Sequence, residues 1–229
     1  MKAKTIPTFI LFPAFVSAAI ALIYAASAVL GIDISPLGIY PRTLDGLKGI
    51  LFSPFIHGSV KHLMSNLSAL PLLLCLLTML FPDRYIKIFS VLYLLTGIAV
   101  WLTARSSYHI GASGIIYAIA SYIFFSGIVS SKKGAAAISV LIVLFYGGMI
   151  WGLLPGEPHV SWESHIAGGV SGFVTAFIFS SRPASTPAIG NGDYQAPQFS
   201  PKATITDSQY TTITYEYKGG TSGKKINVF

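Results

Sequence analysis

Six apolar runs constrain this chain more than any other feature. They cover residues 6–30, 62–81, 85–102, 113–129, 135–154 and 165–180. A helix that crosses a bilayer needs about 20 apolar residues. Breaks between the runs are clear: Pro82-Asp83-Arg84 ends the second, Ser130-Ser131-Lys132-Lys133 the fourth, Pro155-Gly156 the fifth and Arg182-Pro183 the sixth. A single short run, such as the sixth, also suits a buried helix of a soluble protein, but six in one chain of 229 residues do not. Only 10% of the residues are charged, where soluble domains hold about 25%. That balance excludes a disordered chain, a coiled coil and an ordinary soluble enzyme. One cysteine, Cys75, excludes a disulfide-stapled secreted fold. The expected fold class is an all-α polytopic membrane protein: a six-transmembrane-helix bundle with a long external first loop and a polar C-terminal tail.

The formal net charge of +7 could attract nucleic acid. The basic residues are scattered between apolar runs and form no stripe interleaved with aromatics, so no nucleic-acid partner is expected. They carry topology instead. With the N-terminus inside, Lys2, Lys4, Arg84, Lys87, Lys132, Lys133 and Arg182 flank the inner ends of the runs. Arg42, Lys48, Lys61 and Arg105 lie outside. The excess inside, to which the tail adds Lys202, Lys218, Lys224 and Lys225, places both termini in the cytoplasm. A cleaved signal peptide ending near Ala26-Ser27-Ala28 is a competing reading, but its apolar stretch is longer than usual.

Two segments fall outside the runs. The connection 31–61, with Pro36, Pro41 and Pro54, is long enough to suggest a functional external loop. The chain then divides into a transmembrane region, 1–181, and a polar tail, 182–229. The tail opens with a flexible linker over 183–201. Alternating Thr, Ile and Tyr over 203–217 predict a strand, which Gly219-Gly220 could fold into a short β-hairpin with 225–229.

Polar residues at the ends of spans are the informative ones, because each costs free energy unless it is satisfied or used. Three clusters stand out: His57 to Asn66 with His62 between, Gly111-Ala112-Ser113-Gly114 followed by Tyr117, and Ser164-His165 followed by Gly168, Gly169 and Gly172. Spans two, four and six run in the same direction, from outside to inside. Each cluster opens one of them, so His62, Ser113 and His165 share a depth just below the outer face.

That arrangement suits nucleophilic chemistry. A serine hydroxyl needs a base to take its proton, and His165 lies at the right depth. Ser113 opens a helix, where free N–H groups favour a developing oxyanion. His62 and Asn66, four residues apart on one helix face, can both donate hydrogen bonds there. Tyr117, one turn after Ser113, can pack on the His165 ring. Gly114, Gly168 and Gly172 let two helices approach closely. No Asp or Glu lies within a run, and Glu157 and Glu163 fall in the last external loop. A Ser–His dyad therefore fits better than a triad. Metal-ligand spacing is missing, so no metal is expected. Each piece has a plainer reading: Gly111 to Gly114 as helix packing, His62 and Asn66 as interhelical hydrogen bonds, His165 as an interfacial residue. His57 and His109 read as loop or interfacial residues, His57 also as a possible lining of the site, and His159 as solvated. Their common depth on alternate spans favours the joint reading.

Taken in order, His62-x-x-x-Asn66, Gly111-Ala112-Ser113-Gly114, Tyr117 and His165-x-x-Gly168-x-x-x-Gly172 resemble the rhomboid family of intramembrane serine proteases. The resemblance covers about residues 6–181 and implies a rhomboid-like bundle. It implies Ser113 as nucleophile, His165 as general base, and His62, Asn66 and the Ser113 N–H as oxyanion donors. It also implies that 31–61 lies on the membrane, that 155–163 caps the site and that span five serves as a lateral gate. The activity implied is hydrolysis of peptide bonds in or near transmembrane segments of other membrane proteins, in a bacterial inner membrane. One departure is visible: the adjacent Trp-Arg pair that many members carry in the first loop is replaced by Tyr40-Pro41-Arg42. Two other classes compete. A non-catalytic rhomboid-like protein that binds transmembrane clients would have lost the dyad. A small transporter or channel would show ionisable residues at mid-span or paired broken helices.

Overall fold

The computed structural model describes residues 8–130, 133–155, 161–180, 198–207, 210–218 and 225–228. The chain splits into two compact units, Met1–Arg182 and Pro183–Phe229.

The first unit is helical. Its long helices are α1 (Thr8–Leu30), α3 (Val60–Leu80), α4 (Tyr85–Thr103), α5 (Ser113–Val129), α6 (Lys133–Tyr146) and α7 (Trp162–Ser180), with a four-residue α2 (Gly49–Phe52) in the first loop. After α6 the chain tightens into a 3-10 segment, Gly147–Leu153. The starts of α4 and α5 coincide with the edges of their apolar runs, whereas α3 and α7 begin earlier. The Ser59 side chain accepts the His62 backbone N–H, so α3 begins two residues before the apolar run. α7 begins at Trp162, three residues before its run. Glu163, expected in the external loop, therefore sits in the first turn of α7. A carboxylate is favoured at that helix end, and Glu163 lies 3.3 Å from Arg105.

Four segments are long and apolar enough to cross a membrane by themselves: 9–30, 60–80, 85–103 and 136–153. The six-span expectation is thus met in full by only four stretches among the described residues. The other two are α5 and α7, the helices that carry Ser113 and His165. At 17 residues, α5 is roughly 26 Å long, while the hydrocarbon core is about 30 Å thick. α7 opens with Glu163, Ser164 and His165. The physical reason lies in their position: α5 buries Ile115, Ile116, Ala118, Ile119 and Ile123 against other helices rather than against lipid. Its partners include Leu70, Leu73, Leu74 and Leu77 of α3 and Leu92 of α4, in one continuous apolar core. Helices α1 and α6 instead present Phe15, Leu22, Leu144 and Phe145 outward. An apolar surface of that extent suits hydrocarbon rather than water.

The first loop is held to the outer ends of the helices. Ile39 and His109 form an antiparallel bridge with hydrogen bonds of 3.0 and 2.8 Å. Arg42 adopts φ 58°, donates its backbone N–H to Trp101 O at 3.0 Å and its guanidinium to Ala104 O at 2.7 Å. In return the Trp101 indole donates to Thr43 O at 2.9 Å. An arginine and a tryptophan from separate segments therefore tie this loop to the end of α4, where the sequence lacks an adjacent pair.

The second unit is a three-stranded antiparallel sheet of β1 (Gln198–Asp207), β2 (Tyr210–Lys218) and β3 (Lys225–Val228), in that order. The single strand expected over 203–217 is divided between β1 and β2, which pair Pro201 with Tyr215 and Asp207 with Tyr210. Folding back pairs backbone groups that one long strand would leave open. β1 is an edge strand, which tolerates Pro201. Its start at Gln198 shortens the expected linker. β2 and β3 pair antiparallel, Glu216 opposite Lys225, as the expected hairpin requires. The Gly219-Gly220 turn lies outside the described residues.

Candidate active site

Glycines set the distance between the two helices that matter. A Cβ on Gly168 would stand 2.0 Å from Gly114 O, and one on Gly172 would stand 2.3 Å from Ala118 O. Neither distance admits a side chain, so the backbones of α5 and α7 touch. Ser121 Oγ adds a hydrogen bond across the contact, to Gly169 O at 2.7 Å.

This approach brings Ser113 Oγ to 2.9 Å from His165 Nε2. The other ring nitrogen, Nδ1, lies 2.8 Å from Gly152 O. A carbonyl oxygen can only accept, so Nδ1 carries the proton of the neutral ring. Nε2 is left with its lone pair facing the serine hydroxyl, the arrangement a general base needs. The Gly152 carbonyl occupies the place of an acidic third member. His165 is buried, at 7% exposure. Tyr117 stacks flat on its ring, with centroids 4.3 Å apart and planes 8° from parallel. The Tyr117 hydroxyl donates to Met149 O at 2.5 Å. Gly152 and Met149 both belong to the 3-10 segment after α6. Sequence reading missed them, because a backbone carbonyl leaves no mark on residue type. The only available signal was Gly152 itself, where a Cβ would stand 2.2 Å from the Tyr117 hydroxyl.

His62 and Asn66 flank the serine from α3. Gly111 has φ 102°, a conformation that side chains rarely adopt. A Cβ there would stand 2.5 Å from His62 Nε2 and 3.7 Å from Asn66 Nδ2. The glycine therefore lets the His62 ring come up against the backbone two residues before Ser113. Asn66 is buried and gives one amide N–H to His62 O at 3.0 Å, leaving the other for a further acceptor. Ser113 is the first residue of α5, so the N–H groups of that first turn have no partner within the helix.

Two other histidines are buried near this region. His57 is buried, and its ring lies 4.9 Å from that of His62. Burial first, and then repulsion from His62, push its pKa down to about 4, so it stays neutral beside the site. His109, read as a loop or interfacial residue, is only 2% exposed. It contacts Ser161 and the backbone of Arg105. His159 and Glu157 lie outside the described residues.

Comparison with known proteins identifies the family. A family model described as Rhomboid domain matches residues 45–182. An uncharacterized protein of Mycobacterium bovis is 32% identical over 152 residues, covering 62% of this chain and 63% of its own length. One from Mycobacterium leprae is 29% identical over 170 residues, covering 70% of this chain and 67% of its own. RHOMBOID-like protein 4 of Arabidopsis thaliana is 33% identical over 153 residues, covering 62% of this chain and 37% of its own. The chain thus spans 63% of the length of the Mycobacterium bovis relative. The matched region takes in the helices that carry His62, Asn66, Ser113 and His165, and the chain is an integral membrane protein that belongs to the rhomboid family.

Proposed function

We propose that this protein is an intramembrane serine endopeptidase that cleaves transmembrane proteins in or near their membrane segments. The observation that carries this reading is the 2.9 Å contact between Ser113 Oγ and His165 Nε2, with Nδ1 held by a carbonyl. Ser113 attacks the scissile carbonyl while His165 takes its proton. The tetrahedral oxyanion forms beside His62, Asn66 and the first N–H groups of α5. Removing one such donor typically costs about 100- to 1000-fold in kcat. His165 then hands the proton to the leaving amine, and an acyl-enzyme remains on Ser113. Water activated by the same histidine releases the second product. Chemistry near the outer face, rather than at mid-span, gives that water a path.

The partners are transmembrane protein substrates within the lipid bilayer, and no cofactor takes part. In this reading residues 1–181 are the catalytic region and 182–229 an appended tail. The membrane is a bacterial inner membrane with both termini cytoplasmic, in line with the lysine and arginine distribution.

The test is fluorophosphonate labelling in detergent, alongside cleavage of a transmembrane substrate. Wild type is expected to label and cleave, and Ser113→Ala and His165→Ala to do neither. A folded wild type that stays silent in several detergents and in lipid would sink the protease reading and favour a client-binding, non-catalytic protein.

A further inference from the structure

His109 is four residues before Ser113 and takes no part in the chemistry above, yet three segments meet on it. Its backbone pairs with Ile39 of the first loop in both directions. Its Nε2 lies 2.9 Å from Arg105 O and its Nδ1 2.6 Å from Ser161 Oγ. Ser161 Oγ is in turn 2.6 Å from Ser164 Oγ, and Ser164 directly precedes His165 in the chain. The Ser164 carbonyl also closes on α5: it would stand 3.1 Å from a Cβ on Gly114.

The direction of donation follows from the one group that cannot donate. Arg105 O accepts only, so Nε2 carries the ring proton. Nδ1 of the neutral ring then accepts from the Ser161 hydroxyl, and the Ser161 oxygen is free to accept from Ser164. A second proton on the ring would occupy Nδ1. Ser161 could no longer donate there, the order of donation would have to reverse, and Ser164 would lose its acceptor. Ser161 and Ser164 are half-buried, and a polar group that loses its partner away from water is costly.

We propose that His109, with Ser161 and Ser164, is a positioning brace that holds the Ser113 loop against the start of α7 while its ring is neutral and loosens when the ring is protonated. The proposal rests on the protease reading and adds a regulatory element to it. Burial, the largest influence, disfavours the charged ring and lowers its pKa. The hydrogen bond to Arg105 O and the Glu163 carboxylate favour the proton, and the Arg105 guanidinium opposes it. Among the described residues, those are the charged groups that face the ring from the α4–α5 loop and from α7. The first loop meets it through the Ile39 backbone. Protonation is therefore expected below the ordinary histidine range, and the acid form of the enzyme should be the slow one.

The experiment uses the full chain in detergent, with kcat, KM and fluorophosphonate labelling followed from about pH 8 down to about pH 4, which extends below the range over which histidines ordinarily change charge. His109→Phe and Ser161→Ala are expected to lower kcat on the order of 10- to 100-fold, as small misplacements of reacting groups do, with little change in KM. His109→Asn keeps an acceptor that cannot titrate. It should recover most of kcat, and its acid limb should fall with one proton where wild type falls with two. If His109→Phe does not fold, Ser161→Ala and His109→Asn decide the matter. A labelled wild type with variants that match its kcat and its acid limb overturns the brace and leaves the protease reading intact. A wild type that never labels overturns the protease reading, and the brace with it.

Discussion

Two sets of contacts hold His165, and they do so in different ways. α7 meets α5 backbone to backbone through Gly168 and Gly172, with no room for a methyl group at either position. The α6 segment with its 3-10 extension is far less buried. Ser139 and Ile142 are the buried residues described in α6, and none is buried in Gly147–Leu153. That side is tied by single hydrogen bonds: Ser139 Oγ to Phe124 O, Tyr117 Oη to Met149 O and His165 Nδ1 to Gly152 O. The comparison separates position from orientation. Close-packed backbone sets where the base stands, since packed interiors resist even small changes in volume. A lightly held segment sets which way the ring faces and which nitrogen keeps the proton.

The glycine contacts offer the harshest way to break that contrast. Gly168→Ala and Gly172→Ala place a methyl within 2.0 and 2.3 Å of a carbonyl oxygen. Overpacking of this kind typically costs about 1–3 kcal/mol, and a shift near 1 Å at the reacting atoms costs about 100-fold in rate. Both a lower thermal midpoint in detergent and a collapse of fluorophosphonate labelling are therefore expected. Unchanged labelling in both variants would show that the two helices need not touch.

Gly152→Ala probes the other side. Its methyl would crowd the Tyr117 hydroxyl and lie 3.2 Å from His165 Nδ1. Because the segment is lightly held, it should give way rather than unfold the protein. The expected result is a roughly tenfold fall in kcat with the thermal midpoint nearly unchanged. A large loss of stability with normal turnover would reverse the roles assigned to the two sides.

Gly169→Ala is the mildest test. Nothing lies within 4 Å of a Cβ at that position, although it sits between the two critical glycines of α7. Alanine exceeds glycine in helix propensity by up to about 1 kcal/mol. A small rise in the thermal midpoint with unchanged labelling is expected, and a loss like that of Gly168→Ala would show that small size alone, rather than contact, matters along α7.

Much of the site is legible in the order and spacing of its residues. Ser113 lies against His165, Tyr117 stacks on the His165 ring, and His62 and Asn66 lie near Gly111, residues whose spacing is countable along the chain because helical periodicity acts over short distances. Two helix starts are less legible. A serine cap and a salt-bridged glutamate move α3 and α7 outward by two and three residues from the hydropathic edges. Span length misleads for α5, since a helix enclosed by protein need not match the thickness of lipid. In the tail, a pattern that favours strand cannot say that 203–217 is divided between two strands.

The sequence by itself determined the class of fold, the family and the identity of the groups that face one another, since these depend on residue type and on distance along the chain. Only the tertiary structure decided the protonation order of His165 and the burial of His109. Both depend on partners remote in sequence: the carbonyl of Gly152, 13 residues before its histidine, and Ser161, 52 residues beyond His109. A backbone carbonyl is the same in every residue, so the chain's chemistry could not announce which one would complete the site.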